Sequence, residues 1–386
     1  MGAVVLLSLG VVSLFVRPRP VPLWAGPTAC AVAGLLTLQV PRGAAVDALQ
    51  LLRNPLLFLV FAVPLAIGLD RVGVFAALAA AVDGGRHLVA SLWVLAALVT
   101  AVLNLDAAVV LLTPLYIRIA LRHGLSPEML AFQPALLACL ASGPLPVSNL
   151  TNLIVAEQHS LHATDFLVHM GPPTVVAVVV GWWCFRRCFH LHPVADRVDE
   201  PVDRRALRRG LPVVALVVVG FTLGDVWGVP AWIVAAVAWA WVALLTREVR
   251  WRAAPLEAIL VAAALSVLVA GALPHLGLHS VLAHDGFAGA WRALTVGVVG
   301  SDLTNNLPTV LAAGDLLHDR AHVWPLLVGV NIGPVLVLSG ALSGLLWRDT
   351  ARRLGVSVTA RRYTVVGVEV GLPALVAAAA TVFCLS

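Results

Sequence analysis

Asp106 and Asp302 stand beside clusters of amides and hydroxyls, and both clusters lie within sequence as apolar as a membrane span. The first cluster reads Leu103-Asn104-Leu105-Asp106. It is followed downstream by Gly143-Pro144-Leu145-Pro146-Val147-Ser148-Asn149-Leu150-Thr151-Asn152. The second holds Asp302, Thr304, Asn305 and Asn306, followed by Asn331, Gly333-Pro334, Ser339 and Ser343. Amides and hydroxyls both donate and accept hydrogen bonds. At membrane depth such groups must be buried in protein, line a cavity or hold a solute, because nothing else satisfies them. Hydrogen-bonding glue between helices is the competing reading. Acids inside a bilayer are costly and mark proton or ion paths. A carboxylate that must be neutral when desolvated can exchange a proton during a transport cycle. Asp106 and Asp302 are therefore the candidates for proton coupling, and an amide-capping role at a helix start is the alternative for each. A third acid in apolar sequence, Glu369, lies near one end of the last span and reads as an interfacial residue or the partner of an arginine.

These residues need a scaffold, and composition defines it. Of 386 residues, 60% are hydrophobic and 12% charged, and the mean hydropathy is +0.96. Soluble domains carry roughly twice that charge. Apolar runs recur along the chain, and the period-two alternation of a membrane barrel is absent, so the expected class is an all-α polytopic membrane protein. Spans are expected at about 2–16, 23–40, 54–69, 171–187, 211–224, 229–246, 255–273 and 363–384. Interrupted helices are expected at 126–160 and 323–347, re-entrant hairpins at 88–120 and 291–316, and short amphipathic segments at 70–86 and 274–290.

All 25 basic residues are arginines, and this arrangement puts 21 of them on one side, leaving Arg42, Arg53, Arg292 and Arg320 on the other. The crowded side is cytoplasmic by the positive-inside rule, which places the N-terminus outside. A hairpin that crossed fully would swap every later loop and destroy the split. The expected domains are a first repeat at 1–187, a cytoplasmic linker at 188–210 and a second repeat of opposite orientation at 211–386. Pro55 and Pro255 are 200 apart, and Asn104 and Asn305 are 201 apart. Pro144 and Pro334, like Asn149 and Ser339, are 190 apart. Matched interruptions in two inverted halves point to a secondary transporter's central site.

The remaining polar chemistry is sparse. The five cysteines imply no disulfide framework, and Cys184 and Cys188 belong to an interfacial belt of Trp182, Trp183 and arginines. Cys139, just before the first break, reads as a packed small residue rather than a soft ligand. His159, His162, His169, His275, His279, His284, His318 and His322 fall in outer segments as interfacial residues. There is no GxxxxGK[ST] loop and no lysine, which argues against ATP hydrolysis by this chain. No His/Asp or Ser/His set falls at one depth, so no enzyme activity, cofactor or metal is expected. The pI near 9.4 reflects membrane-edge arginines, not nucleic acid.

With those motifs in hand, the chain resembles the ion-transporter (citrate transporter-like) superfamily and, within it, the bacterial arsenite and antimonite efflux permeases. The likeness rests on residues 103–114, Leu-Asn-Leu-Asp-Ala-Ala-Val-Val-Leu-Leu-Thr-Pro, and on 146–153, Pro-Val-Ser-Asn-Leu-Thr-Asn-Leu. It also rests on Asn305-Asn306-Leu307-Pro308, Asn331-Ile332-Gly333-Pro334, Ser339-Gly340-Ala341-Leu342 and Leu346-Trp347. It implies that two hairpins and two broken helices form a transport domain beside a scaffold. It further implies that Asn104, Asp106, Ser148, Asn149, Asn305, Asn306 and Asn331 surround the solute, and Asn152 and Ser339 join them as candidates. The second break departs from the arsenite branch, reading Gly-Pro-Val-Leu-Val-Leu-Ser in place of a more polar Gly-Pro-Asn-Leu-Thr. The expected function is proton-coupled efflux of arsenite or antimonite across the inner (cytoplasmic) membrane. A cation/proton antiporter or an organic-anion permease is the alternative. The expected partners are a small inorganic solute, protons and the lipid bilayer. A soluble ATPase on 188–210 and a homodimer remain open.

Overall fold

The apolar runs fold as helices with no strand among the described residues, which in this computed structural model are 1–15, 21–82, 87–189, 202–248, 255–317 and 319–385. Most of the expected linker 188–210, with Arg197, lies outside them, as do Arg17, Arg19, Arg86, Arg250, Arg252 and His318. Arg53–Val72, Arg204–Leu223, Leu256–His275 and Ala360–Leu385 are each long and apolar enough to cross a bilayer. Ala163–His169 and Gly171–Cys188 form a further span bent by 49°. The chain is a multi-pass membrane protein. Helices Gly2–Phe15 and Ala25–Leu36 are shorter than a full crossing, at about 1.5 Å per residue. The second stops short of the expected residue 40 because Leu38 turns left-handed, at φ 57°.

Local sequence explains where the helices start and stop. Ser126 caps Pro127–Leu140 by accepting from the Met129 amide at 3.3 Å, with proline at the first helical position. Asp203 accepts from the Arg205 and Ala206 amides at 2.9 and 3.0 Å and opens Arg204–Leu223. Gly73, at φ 87°, closes Arg53–Val72 in the left-handed conformation that glycine adopts without strain.

Two helical hairpins are present. The first pairs Leu88–Leu103 with Leu105–Arg122. The Tyr116 hydroxyl donates to the Leu92 carbonyl at 2.5 Å, and both residues are twelve positions from Asn104, so the arms run back antiparallel to the same end. The second pairs Gly286–Thr304 with the much shorter Asn306–Ala313.

Two helices are interrupted as well. Pro127–Leu140 is followed by Leu150–His159, and Val323–Ile332 by Leu342–Arg353. From Met129 to Leu140, and from Val323 to Ile332, every residue is buried. Helices apolar all round belong in a core, and these two half-helices are the centre about which the hairpins pack. The second hairpin lies backbone to backbone on its broken helix. A methyl on Gly297 would meet the Leu326 carbonyl at 2.6 Å, and one on Gly329 would meet the Leu294 carbonyl at 2.5 Å. Trp347 fixes the helix after the second break to the one before the first by donating to the Ala131 carbonyl at 2.7 Å.

The spacing of the breaks corrects one expectation. The glycine–proline pairs are 190 apart, but the helix ends flanking the breaks are 192 apart. Leu140 matches Ile332 before the break, and Leu150 matches Leu342 after it. Asn149 therefore corresponds in position to Ala341 and not to Ser339, and Ser339 corresponds to Val147. Prolines mark where a helix cannot continue but not the residue at which it stops.

Candidate functional site

At each hairpin tip a single asparagine makes the turn. Asn104 adopts φ 144° and ψ 148°, and Asn305 φ 97° and ψ 151°, a region occupied almost only by glycine. Each side chain caps the helix that follows it. The Asn104 Oδ1 accepts from the Asp106 amide at 2.9 Å, and the Asn305 Oδ1 accepts from the Leu307 amide at 3.3 Å. Each amide nitrogen then reaches a broken helix. Asn104 donates to the Val147 carbonyl at 3.4 Å and Asn305 to the Ser339 carbonyl at 3.2 Å. Val147 and Ser339 are the matched positions of the two breaks, so one frame of hydrogen bonds seats both tips. In the second half it is reinforced by the Asn306 amide, which donates to the Gly340 carbonyl at 2.9 Å.

The first break carries a knot of amides. The Asn149 Oδ1 caps Leu150–His159 by accepting from the Thr151 amide at 3.1 Å, and its Nδ2 donates to the Asn331 Oδ1 at 2.8 Å. The Thr151 hydroxyl donates to the same oxygen at 3.1 Å. The Asn331 Nδ2 donates to the Asn152 Oδ1 at 2.8 Å, and the Asn152 Nδ2 donates to the Ser142 and Leu145 carbonyls at 2.8 and 3.1 Å. Ser148 spends its hydroxyl on Leu145, donating to the carbonyl at 2.8 Å and accepting from the amide at 3.1 Å. Ser148, Asn152 and Asn331 are buried and bonded within the protein. They hold the break in shape and join it to the helix before the second break.

What remains forms a cleft of about 40 Å³, lined by Asp106, Asn149, Thr151, Asn305 and Asn306 with Leu14, Leu59, Leu105, Leu150, Ala258, Val261, Ala262, Leu265, Leu307, Leu342 and Leu345. A water needs roughly 10–15 Å³ of such space, so the cleft suits a solute of a few heavy atoms. No basic side chain lines it among the described residues. The Asp106 Oδ1 is buried with no hydrogen-bond partner among the described residues, since Asn104 has taken the capping role. Asp302 also has a buried, unpartnered Oδ1, but it lines no part of this cleft and packs behind the second tip, where a methyl on Gly340 would meet it at 3.1 Å. Ser339 contributes a carbonyl to Asn305, and its side chain stays out of the lining.

The cleft adjoins a larger apolar vestibule of about 380 Å³, with Asp106, Leu59, Ala258, Val261 and Leu342 common to both. Sequence reasoning missed the apolar wall entirely, since nothing separates a lining leucine from any other in a span. It also missed Glu257 at the vestibule, although an acid two residues after a proline at the start of an apolar helix was a legible signal.

Other candidates lie away from the cleft. Cys139 is buried and free, and Glu369 is exposed on a single π-helical turn, Gly367–Gly371. Arg187 stacks 3.4 Å above the Trp183 ring beside Cys184 and Cys188. The His159 Nε2 lies 2.8 Å from the Gly314 carbonyl, and His169 stacks on Trp324.

With this geometry in hand, comparison with known proteins is informative. The family model described as "Citrate transporter" matches residues 3–345. The chain is similar to a protein named "Arsenical pump membrane protein" from Escherichia coli, 28% identical over 327 residues that cover 75% of this chain and 76% of that protein. A protein of the same name from Escherichia coli (strain K12) is 29% identical over 332 residues, with the same coverage. Another from Yersinia enterocolitica is 28% identical over 329 residues, again with that coverage.

Proposed function

Because the chain belongs to the citrate transporter family and is a membrane transporter, we propose that it exports arsenite and antimonite across the cytoplasmic membrane, coupled to protons. The observation that carries this reading is a cleft of amides, a hydroxyl and one carboxylate without any basic side chain among the described residues. Arsenite at neutral pH is an uncharged trihydroxide. Its hydroxyls both donate and accept, as do the amides of Asn149, Asn305 and Asn306 and the hydroxyl of Thr151. A citrate-sized polyanion needs cations to replace its water, and it would meet Asp106 instead.

Asp106 serves as the coupling acid, because it lines the cleft and its Oδ1 has no partner among the described residues. Protonated, it donates to a solute hydroxyl; ionised, it accepts, and the alternation links solute to proton. The matched tips support two inverted repeats, 1–187 and 211–386, that meet at the cleft.

Arsenite, antimonite and sodium tolerance of a sensitive bacterial host, with and without the gene, tests the reading. Resistance to the two metalloids is expected, and unchanged sensitivity to both rules it out. In everted vesicles, Asn149→Ala and Asn305→Ala should each raise the apparent KM about two- to tenfold, the cost of one hydrogen bond. Protein lost from the membrane with KM intact would mark these asparagines as packing residues.

A further inference from the structure

The vestibule carries a second acid that the transport reading does not use. Its walls run from the cleft in one direction. On Arg53–Val72 they run from Leu59 through Val63 and Ala66 to Ile67, one turn short of Arg71. On the first hairpin they run from Asp106 to Leu111, toward Arg118 and Arg122. After the second break they run from Leu342 to Leu346, toward Arg348 and Arg352. The last wall is the start of Leu256–Ala272, Pro255 to Val261. The first three lead to the arginine-bearing ends of their helices, and the fourth is the first turns of its helix. Glu257 sits on this path and is exposed, whereas Asp106 lies at the inner end.

Every other lining residue is apolar, and no basic side chain lines the vestibule among the described residues. Arg71, just beyond the rim, is engaged by Glu248. A low-dielectric channel with carboxylates at both ends focuses a negative potential along its length.

We propose that Glu257 is the entrance filter of the vestibule, a specificity-determining residue that admits neutral and cationic solutes and turns anions away before they reach Asp106. It extends the transport reading, resting on it only in taking the vestibule as the solute's route, and it is tested without arsenite. The rival role for Glu257 is purely structural, an acid in the first turn of a helix favouring the positive end of the dipole.

The probe is a thiol in the wall. Val63→Cys is introduced into the full-length chain, and everted vesicles present the arginine-rich face to the medium. Rates of modification by a cationic reagent, 2-(trimethylammonio)ethyl methanethiosulfonate, and an anionic one, 2-sulfonatoethyl methanethiosulfonate, are measured. Each is normalised to its rate with a free thiol, and the parent without Val63→Cys supplies the background. The cation should react roughly tenfold faster than the anion. Glu257→Gln should cut that ratio severalfold, and Glu257→Arg should bring it below one. A dipole role alone would shift thermal stability and leave the ratio alone. The proposal is overturned if Glu257→Arg leaves the ratio unchanged, or if Val63→Cys is not modified from this face. Neither result bears on whether arsenite is carried, and metalloid sensitivity of the host would leave the filter standing.

Discussion

The two tip-and-break pairs share a backbone and differ in what they add to it. In both, an asparagine at positive φ caps its own helix and donates to a carbonyl of the neighbouring break, Val147 in one half and Ser339 in the other. Past that frame the halves diverge. The first break restarts its helix at a capping Asn149 beside Thr151 and Asn152; the second restarts at Ala341, with no side-chain cap, beside Ser343 and Gly344. The hairpins diverge the other way. The first tip adds an acid two residues after its asparagine, facing the cleft, whereas the second adds Asn306 to the cleft and keeps Asp302 three residues before the tip, behind it. Symmetry positions the main chain, and the asymmetric side chains make the cleft chemically one-sided, with a single acid at its edge.

The sharpest test of that asymmetry compares the two acids. Asp106→Asn should abolish uphill transport in everted vesicles with normal expression, while Asp302→Asn should lose no more than about threefold. The reverse order would make the second hairpin the coupling element. Next in size is packing. Positions 297 and 329 are glycines, whereas the matched positions of the first half are Ala96 and Leu137, both buried. Importing the first half's residue as Gly329→Leu should overpack the contact by at least about 1–3 kcal/mol, read as loss of monodisperse protein in detergent. If Gly329→Leu folds normally, the two halves pack less differently than their glycines indicate.

Smaller effects follow at the tips. Asn104→Ala and Asn305→Ala each remove two hydrogen bonds and place alanine at positive φ. Each should cost about 1–3 kcal/mol in thermal stability, with Asn→Gly at the same sites costing less because glycine tolerates the turn. A glycine variant as unstable as alanine at either tip would show that backbone strain plays no part there. Smallest is a gain. Ala341→Ser supplies the cap that Asn149 provides in the first half and should stabilise the protein by about 0.5–2 kcal/mol, measured as a raised melting midpoint. No gain would mean the second restart is satisfied by other means.

Much of this was legible from residue types. Asn104, Asp106, Asn149, Thr151, Asn305 and Asn306 stand out in apolar sequence because polar groups there need a reason, and all six shape or line the tips and the cleft. Ser148, Asn152 and Asn331 stood out equally, yet they bond within the protein and line no part of the cleft. Whether an amide faces a cavity or another amide depends on residues about 180 positions away, as in the Asn149–Asn331 bond, and no local pattern encodes that. The two-residue error in matching the breaks has a similar origin. The Gly-Pro pairs are strong local signals, but where the helices end is set by packing against the hairpin tips.

By itself the sequence determined the class, both hairpins and both interruptions, because bilayer hydropathy, helix length and the turn preferences of Gly, Pro and Asn are local properties. It also determined that the matched asparagines recur 201 residues apart. Tertiary structure alone decided which polar groups bond to one another and which line the cleft. It separated Asp106 at the cleft from Asp302 behind the tip, and it placed Glu257 on the wall of the vestibule. These are consequences of how distant helices pack. An unpaired carboxylate and a satisfied amide differ only in what the fold brings to within hydrogen-bonding distance of them.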